Sequence, residues 1–190
     1  MKQTRRAFLQ ASAAGGVGAL LFTVGGCESK MTPAQARTAG ADFHTLQPAE
    51  VTTLDALGEI LLPGSAALGL AHFLDHQLSG DPAKSMLMIK YLRVPAPFVN
   101  FYRAGLAATE AAARIEYNKG LAQLSAEEGA AFVGKMAAGT LAKWDGPPAP
   151  FFFFVLRNDA VDVTYGTPAG FDKLGVPYMP HIAPPTPWGA

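Results

Sequence analysis

Between Leu46 and Gly166 apolar residues recur at spacings of three and four, the period of an amphipathic helix rather than the alternation of a half-buried strand. Val51, Leu54, Leu57 and Leu61 make the first run; Pro48 suits its first helical position and Leu62-Pro63-Gly64 stops it. In the next segment Leu70, Phe73, Leu74, Gln77 and Leu78 share one face, while His72, Asp75, His76 and Ser79 share the opposite one, which reads as a solvated polar face. Asp81-Pro82 offers an N-cap and first residue for a third helix through Met86, Leu87 and Ile89, broken at Val94-Pro95-Ala96-Pro97. A longer helix is predicted from Phe98 to Tyr117, with Phe101, Tyr102 and Leu106 inward and Gly120 as its left-handed cap. Ser125-Ala126-Glu127-Glu128 is a capping box, and Ala130, Val133, Met136, Ala137 and Leu141 continue behind it.

Phe151-Phe152-Phe153-Phe154-Val155-Leu156 has the composition of a buried strand, and periodicity alone does not separate strand from helix over six residues. Pro150 at a first-turn position, the uninterrupted run to Tyr165 and Gly166 as terminator favour a helix. Beyond Gly166, Pro168, Pro177, Pro180, Pro184, Pro185 and Pro187 alternate with Phe171, Tyr178, Ile182 and Trp188, a pattern that favours extended polyproline conformation. The predicted fold is all-α: a small helical bundle over residues 46–166 with an extended Pro-rich tail over 167–190.

The N-terminus has a different pattern. Lys2, Arg5 and Arg6 precede Phe8-Leu9 and an uncharged stretch from Ala11 to Gly26 that closes on Cys27. A basic start, an apolar middle and a small-residue exit form an export signal, and the paired arginines point to the twin-arginine route, which carries folded cargo. Sixteen residues at a helical rise span only about 24 Å, short of a hydrocarbon core of about 30 Å, and glycines at 15, 16, 18, 25 and 26 weaken a helix further. A removable signal over 1–26 therefore fits better than a membrane span. Val24-Gly25-Gly26-Cys27 matches a lipoprotein processing site, and acylation accounts for the only cysteine of the chain. The competing cut, after Ala34-Gln35-Ala36, would leave Arg37 first and discard Cys27. Residues 27–45 have no apolar period and read as a flexible tether.

Composition narrows the chemistry. The chain carries 15 basic and 15 acidic side chains; losing Lys2, Arg5 and Arg6 with the signal leaves 12 against 15, a net charge of −3. No basic stripe remains for nucleic acid. One cysteine cannot make a disulfide framework, a Cys-x-x-Cys-His haem attachment or an iron–sulfur ligand set. Gly15-Gly16-Val17-Gly18 lies within the signal and follows no strand, so it is no nucleotide loop, and no Gly-x-Ser-x-Gly elbow occurs. His72 and His76 stand one turn apart beside Asp75, which is ligand spacing, yet the metalloprotease Glu is missing next to His72 and only His44 and His181 remain as further imidazoles. A signal for folded cargo thus precedes a chain without a recognisable cofactor motif.

Ala160 through Tyr178, with His181 and Ala183-Pro184-Pro185-Thr186-Pro187-Trp188, resembles the C-terminal signature of the gluconate 2-dehydrogenase subunit 3 family. The resemblance extends through Phe101-Tyr102-Arg103-Ala104-Gly105-Leu106, Trp144-Asp145-Gly146 and the phenylalanine run, back to Leu46-Gln47-Pro48-Ala49-Glu50 and Leu61-Leu62-Pro63. It implies a small subunit of a membrane-associated, flavin-dependent sugar or sugar-acid dehydrogenase. In such complexes a large glucose-methanol-choline-type flavoprotein holds FAD and does the chemistry, and a multihaem cytochrome c often takes the electrons. This chain would then carry no catalytic, cofactor or metal residues. It would escort and stabilise its partner through twin-arginine export (Arg5, Arg6, Phe8, Leu9), reside in the periplasm and reach the membrane through acylated Cys27. Tyr165, Phe171, Tyr178, His181 and Trp188, aromatic or imidazole groups in a proline-stiffened tail, are the expected partner contacts. The competing expectation is an independent exported helical lipoprotein with a metal or ligand site around His72 and His76.

Overall fold

Ser125 begins its helix as the capping box requires: its Oγ accepts from the Glu128 amide at 3.2 Å while the Glu128 carboxylate accepts from the Ser125 amide at 2.8 Å. The same device starts the helix at Pro33, where the Thr32 hydroxyl accepts from the Gln35 amide and the Gln35 side chain accepts from the Thr32 amide. In the computed structural model, which describes residues 19–176, such signals delimit eight α-helices. They are α1 (Pro33–Ala39), α2 (Pro48–Leu61), α3 (Leu70–Ser79), α4 (Met88–Tyr91), α5 (Val99–Tyr117), α6 (Ala126–Ala138), α7 (Ala149–Tyr165) and α8 (Pro168–Lys173). The sole sheet among the described residues is a hairpin of β1 (Leu20–Val24) and β2 (Cys27–Met31), antiparallel, with Leu20 opposite Met31 and Val24 opposite Cys27.

The predicted all-α bundle is therefore the fold. The phenylalanine run is helix α7: Phe152, Val155, Leu156, Asp159, Ala160 and Val163 are all buried, the i, i+3, i+4, i+7 recurrence that only a helix places on one face. Phe152 meets the rings of Phe101 and Trp144 at centroid distances of 5.6 and 6.2 Å. The crossing depends on Gly105 of α5, because a Cβ there would overlap the Phe152 ring. Leu54 and Leu57 from α2, Phe73 and Leu74 from α3, Tyr102 from α5 and Phe132 and Met136 from α6 close the same core.

Four expectations are corrected. Residues 27–45 are not a featureless tether: they form β2 and α1, and Phe22, Ala36 and Ala41 make a second small core that compensates for the missing apolar period. The third helix is broken in two, a 3-10 turn at Pro82–Lys84 capped by the Asp81 carboxylate and the single turn of α4, because the Gln77 side chain takes the Met86 amide and the Ser85 hydroxyl takes the Leu87 amide. Helix α5 ends at Asn118, whose own φ of 53° provides the left-handed cap assigned to Gly120. Residues after Gly166 do not run extended at once: the Thr167 hydroxyl accepts from the Gly170 amide at 3.1 Å and starts α8, with Pro168 at its first position. The remainder of the tail lies outside the described residues.

Candidate functional site

The chemistry-bearing side chains of the bundle lie inside it. Helix α3 places His72, Asp75 and Gln77 in the interior, so the face expected to be solvated is covered by residues 20–46. The cover is drawn in by Asp75. Its Oδ2 accepts from the His44 amide at 2.8 Å, and its Oδ1 accepts from Thr45 and Leu46 at 2.8 and 2.7 Å. Three donated amides satisfy the carboxylate and fix the chain entering α2. Arg103 holds the same connection from the other side, donating to the Thr45 carbonyl at 2.6 Å while pairing with Glu50 at 3.1 Å.

His72, 5 % exposed, lies against Phe43, with ring centroids 4.4 Å apart, and more loosely against Phe22 at 6.4 Å. Neither ring nitrogen has a hydrogen-bond partner of good geometry. Burial lowers its pKa, against the nearby Ala41 carbonyl, which favours the charged ring. His76, half-buried beside Phe22 at 5.4 Å, is likewise lowered by burial, with Asp75 opposing. No set of three His, Cys, Asp or Glu side chains among the described residues is arranged to hold a metal ion, and Asp75 spends its oxygens on amides.

Asp159 is the second interior acceptor. It lies in the buried phase of α7, where Tyr102 Oη of α5 donates to its Oδ2 at 2.6 Å and the Met88 amide donates to its Oδ1 at 2.8 Å. Gln77 Oε1 takes the Met86 amide at 2.8 Å and Ser85 Oγ the Leu87 amide at 3.2 Å. These acceptors hold Ser85–Leu87 out of helix and so interrupt the predicted third helix. Burial pushes the Asp159 carboxyl up to about 7, although both hydrogen bonds favour its charged form. It raises Tyr102 as well, with the charge of Asp159 adding to the effect. A polar side chain in the apolar phase of a helix was the sequence signal for Asp159.

On the surface, a groove of about 380 Å³ runs between α2 and α5, floored by Thr53 and Leu106 and rimmed by Glu50, Arg103, Glu110 and Arg114. Its charges are matched across the rim, Arg103 with Glu50 and Arg114 with Glu110 at 2.7 Å. The sequence reading did not find it, because no spacing rule joins two helices separated by two others.

The sequence-predicted residues are not gathered into one place. Cys27 is exposed at the start of β2, after the turn at Gly25-Gly26. Tyr165 is the half-buried last residue of α7, and Phe171, also half-buried, lies in α8, which packs on α7. Arg5, Arg6, Phe8, Leu9, Tyr178, His181 and Trp188 lie outside the described residues. No described helix is long and apolar enough to cross a membrane.

The sequence model of a family described as gluconate 2-dehydrogenase subunit 3 matches residues 48–184. No curated protein and no solved structure matches the chain.

Proposed function

This chain belongs to the gluconate 2-dehydrogenase subunit 3 family, a subunit family of a dehydrogenase complex, and from that premise we propose that it is the non-catalytic small subunit of a flavin-dependent sugar or sugar-acid dehydrogenase. The observation that carries the proposal is the match over 48–184, which takes in the bundle from α2 to α8 and continues into the aromatic tail. The interior chemistry is consistent with it. Three of the buried polar side chains, Asp75, Gln77 and Asp159, are committed to backbone amides or Tyr102. In this reading FAD belongs to the large subunit, haem c to a cytochrome where one is present, and this chain supplies a stable surface and the route out of the cytoplasm.

Arg5-Arg6 ahead of Phe8-Leu9 supports twin-arginine export to the periplasm, with the flavoprotein carried as folded cargo. Acylation at Cys27 gives the membrane anchor. Cys27 stands exposed just after the glycine turn of the β1–β2 hairpin, so a cut before it removes β1 and leaves α1 whole, whereas the competing Ala-x-Ala cut falls inside α1, where Ala36 is fully buried. Changing Arg5 and Arg6 together to lysine tests the escort role: both this chain and its flavoprotein partner are expected to stay in the cytoplasm. A flavoprotein that still reaches the periplasm in that strain would refute the role.

A further inference from the structure

The two glycines before Cys27 both have positive φ, 57° at Gly25 and 82° at Gly26, as a two-residue hairpin turn of the primed kind requires. They fold the end of the apolar N-terminal stretch back onto the chain that follows it. Strand β1 pairs with β2 from Leu20 opposite Met31 to Val24 opposite Cys27, and the Thr23 carbonyl accepts from the Asp42 amide at 2.8 Å. Phe22, 6 % exposed, enters the second small core with Ala36 and Ala41, and Leu20, Val24 and Met31 pack against it. Its ring also reaches α3, with centroids 5.4 Å from His76 and 6.4 Å from His72.

The two strands contribute unequally to this core. Leu20, Phe22 and Val24 all belong to β1, whereas β2 supplies Met31 alone and leaves Cys27, Glu28, Ser29 and Lys30 exposed. A strand that buries so little does not hold its place without its pair, and β1 is the only strand paired with β2 among the described residues. Beyond β2 the cover has attachments of its own. Helix α1 packs on α3, Arg37 pairs with Asp55 at 2.6 Å, and the Pro33 carbonyl lies so close to Gly69 that a Cβ there would overlap it. The amides of residues 44–46 are held by Asp75. Dependence on β1 therefore ends at Thr32, where the capping box of α1 begins.

We infer that Leu20–Val24 is a removable lid: in the unprocessed chain the end of the export signal is folded onto the domain, and processing at Cys27 takes it away, uncovers His76 with the adjoining edge of His72, and turns residues 27–31 into a free leash between the lipid and α1. The inference rests on the lipoprotein processing given above. Its trigger is hydrolysis of the Gly26–Cys27 peptide bond by a signal peptidase, in which water gives its hydroxyl to the Gly26 carbonyl carbon and a proton to the new Cys27 amine. Before that step the lid keeps Leu20, Phe22 and Val24 in the second core and so away from other apolar phases. After it, the ring nitrogens of His72, which have no hydrogen-bond partner of good geometry under the lid, gain access to water.

The test compares the unprocessed full chain with the processed chain recovered from membranes, in the same detergent and at one pH. Intact mass first establishes where the processed chain begins. Diethyl pyrocarbonate, read by peptide mass, should modify His76 about tenfold or more faster in the processed chain, with exposed His44 as the internal reference. Phe22→Ala should raise the His76 rate in the unprocessed chain and leave the processed chain unchanged, because that residue departs with the signal. Hydrogen exchange of the unaltered chain answers without any variant: amides of residues 28–31 should be protected before processing and exchange at the rate of unstructured peptide after it. Equal His76 rates in the two forms, or protection of 28–31 that survives processing, would overturn the lid while leaving acylation in place. A processed chain that begins at Arg37 would refute processing at Cys27 itself, and the inference would fall with it.

Discussion

Replacing Asp159 by asparagine should remove a pH dependence from the stability of the bundle while keeping its hydrogen bonds. The carboxyl is fully buried and raised to about 7, against an ordinary value of 3.8 in the unfolded chain. A group whose folded pKa is raised binds its proton more tightly in the folded state. Its stabilising contribution is therefore complete below pH 4 and is lost as pH rises through about 7. Three pKa units correspond to a ceiling of about 4 kcal/mol across that window. In Asp159→Asn the amide oxygen can accept from Met88 and the amide nitrogen can donate to the Tyr102 oxygen, so both contacts survive at a cost of about 1 kcal/mol. Asp159→Ala keeps neither and leaves the Met88 amide and Tyr102 hydroxyl buried without partners, a loss of about 3–5 kcal/mol with the cavity included. Urea unfolding of the three proteins between pH 4 and 8 reads this directly. The gap between the unaltered chain and Asp159→Asn should shift toward Asp159→Asn as pH rises. Curves for the two that stay parallel across the window would show that Asp159 does not titrate as its burial requires.

Three further outcomes follow from the packing. Gly105→Ala pushes a methyl into the Phe152 ring and should cost about 1–3 kcal/mol in urea unfolding, whereas Gly134→Ala, where a Cβ meets open space, should be neutral or better. His72 has a lowered pKa, so it opposes Asp159: its contribution is complete above about 6.5 and is lost as pH falls toward its folded value. In the unprocessed chain His72→Phe should flatten the acid limb of the stability curve; an unchanged acid limb would count against the burial argument. Intact mass of protein recovered from membranes should show a chain beginning at Cys27 and carrying lipid, and an unmodified start at Arg37 would contradict acylation.

Several elements were legible because their signals are local. Pro48 with the leucines behind it, the Ser125-Glu128 box and the buried phase of the phenylalanine helix are all set within a few turns of chain, and each formed where its residues placed it. What escaped reading depends on distant acceptors. The His72-Asp75 face read as solvated because its cover comes from residues 20–46, which have no periodicity of their own and are held by three amides donated to Asp75. The third helix read as continuous because Gln77 and Asp159, nine and seventy-one residues from the amides they bind, leave no mark in the segment they interrupt. The start of α8 was a different failure: Thr167-Pro168 is a local cap, overshadowed by the prolines that follow. Of the expected contact residues, Tyr165 and Phe171 fall on two helices packed together, a proximity that an extended tail would not have suggested.

The central claim is that this chain is a subunit without chemistry of its own, and the most direct measurement is co-purification. The full chain, expressed with the large flavoprotein subunit proposed for its complex and passed over a sizing column, should elute in one complex with flavin absorbance and dehydrogenase activity. Expressed alone, it should elute without either. A flavoprotein that elutes separately with full activity and unchanged thermal stability would contradict the account.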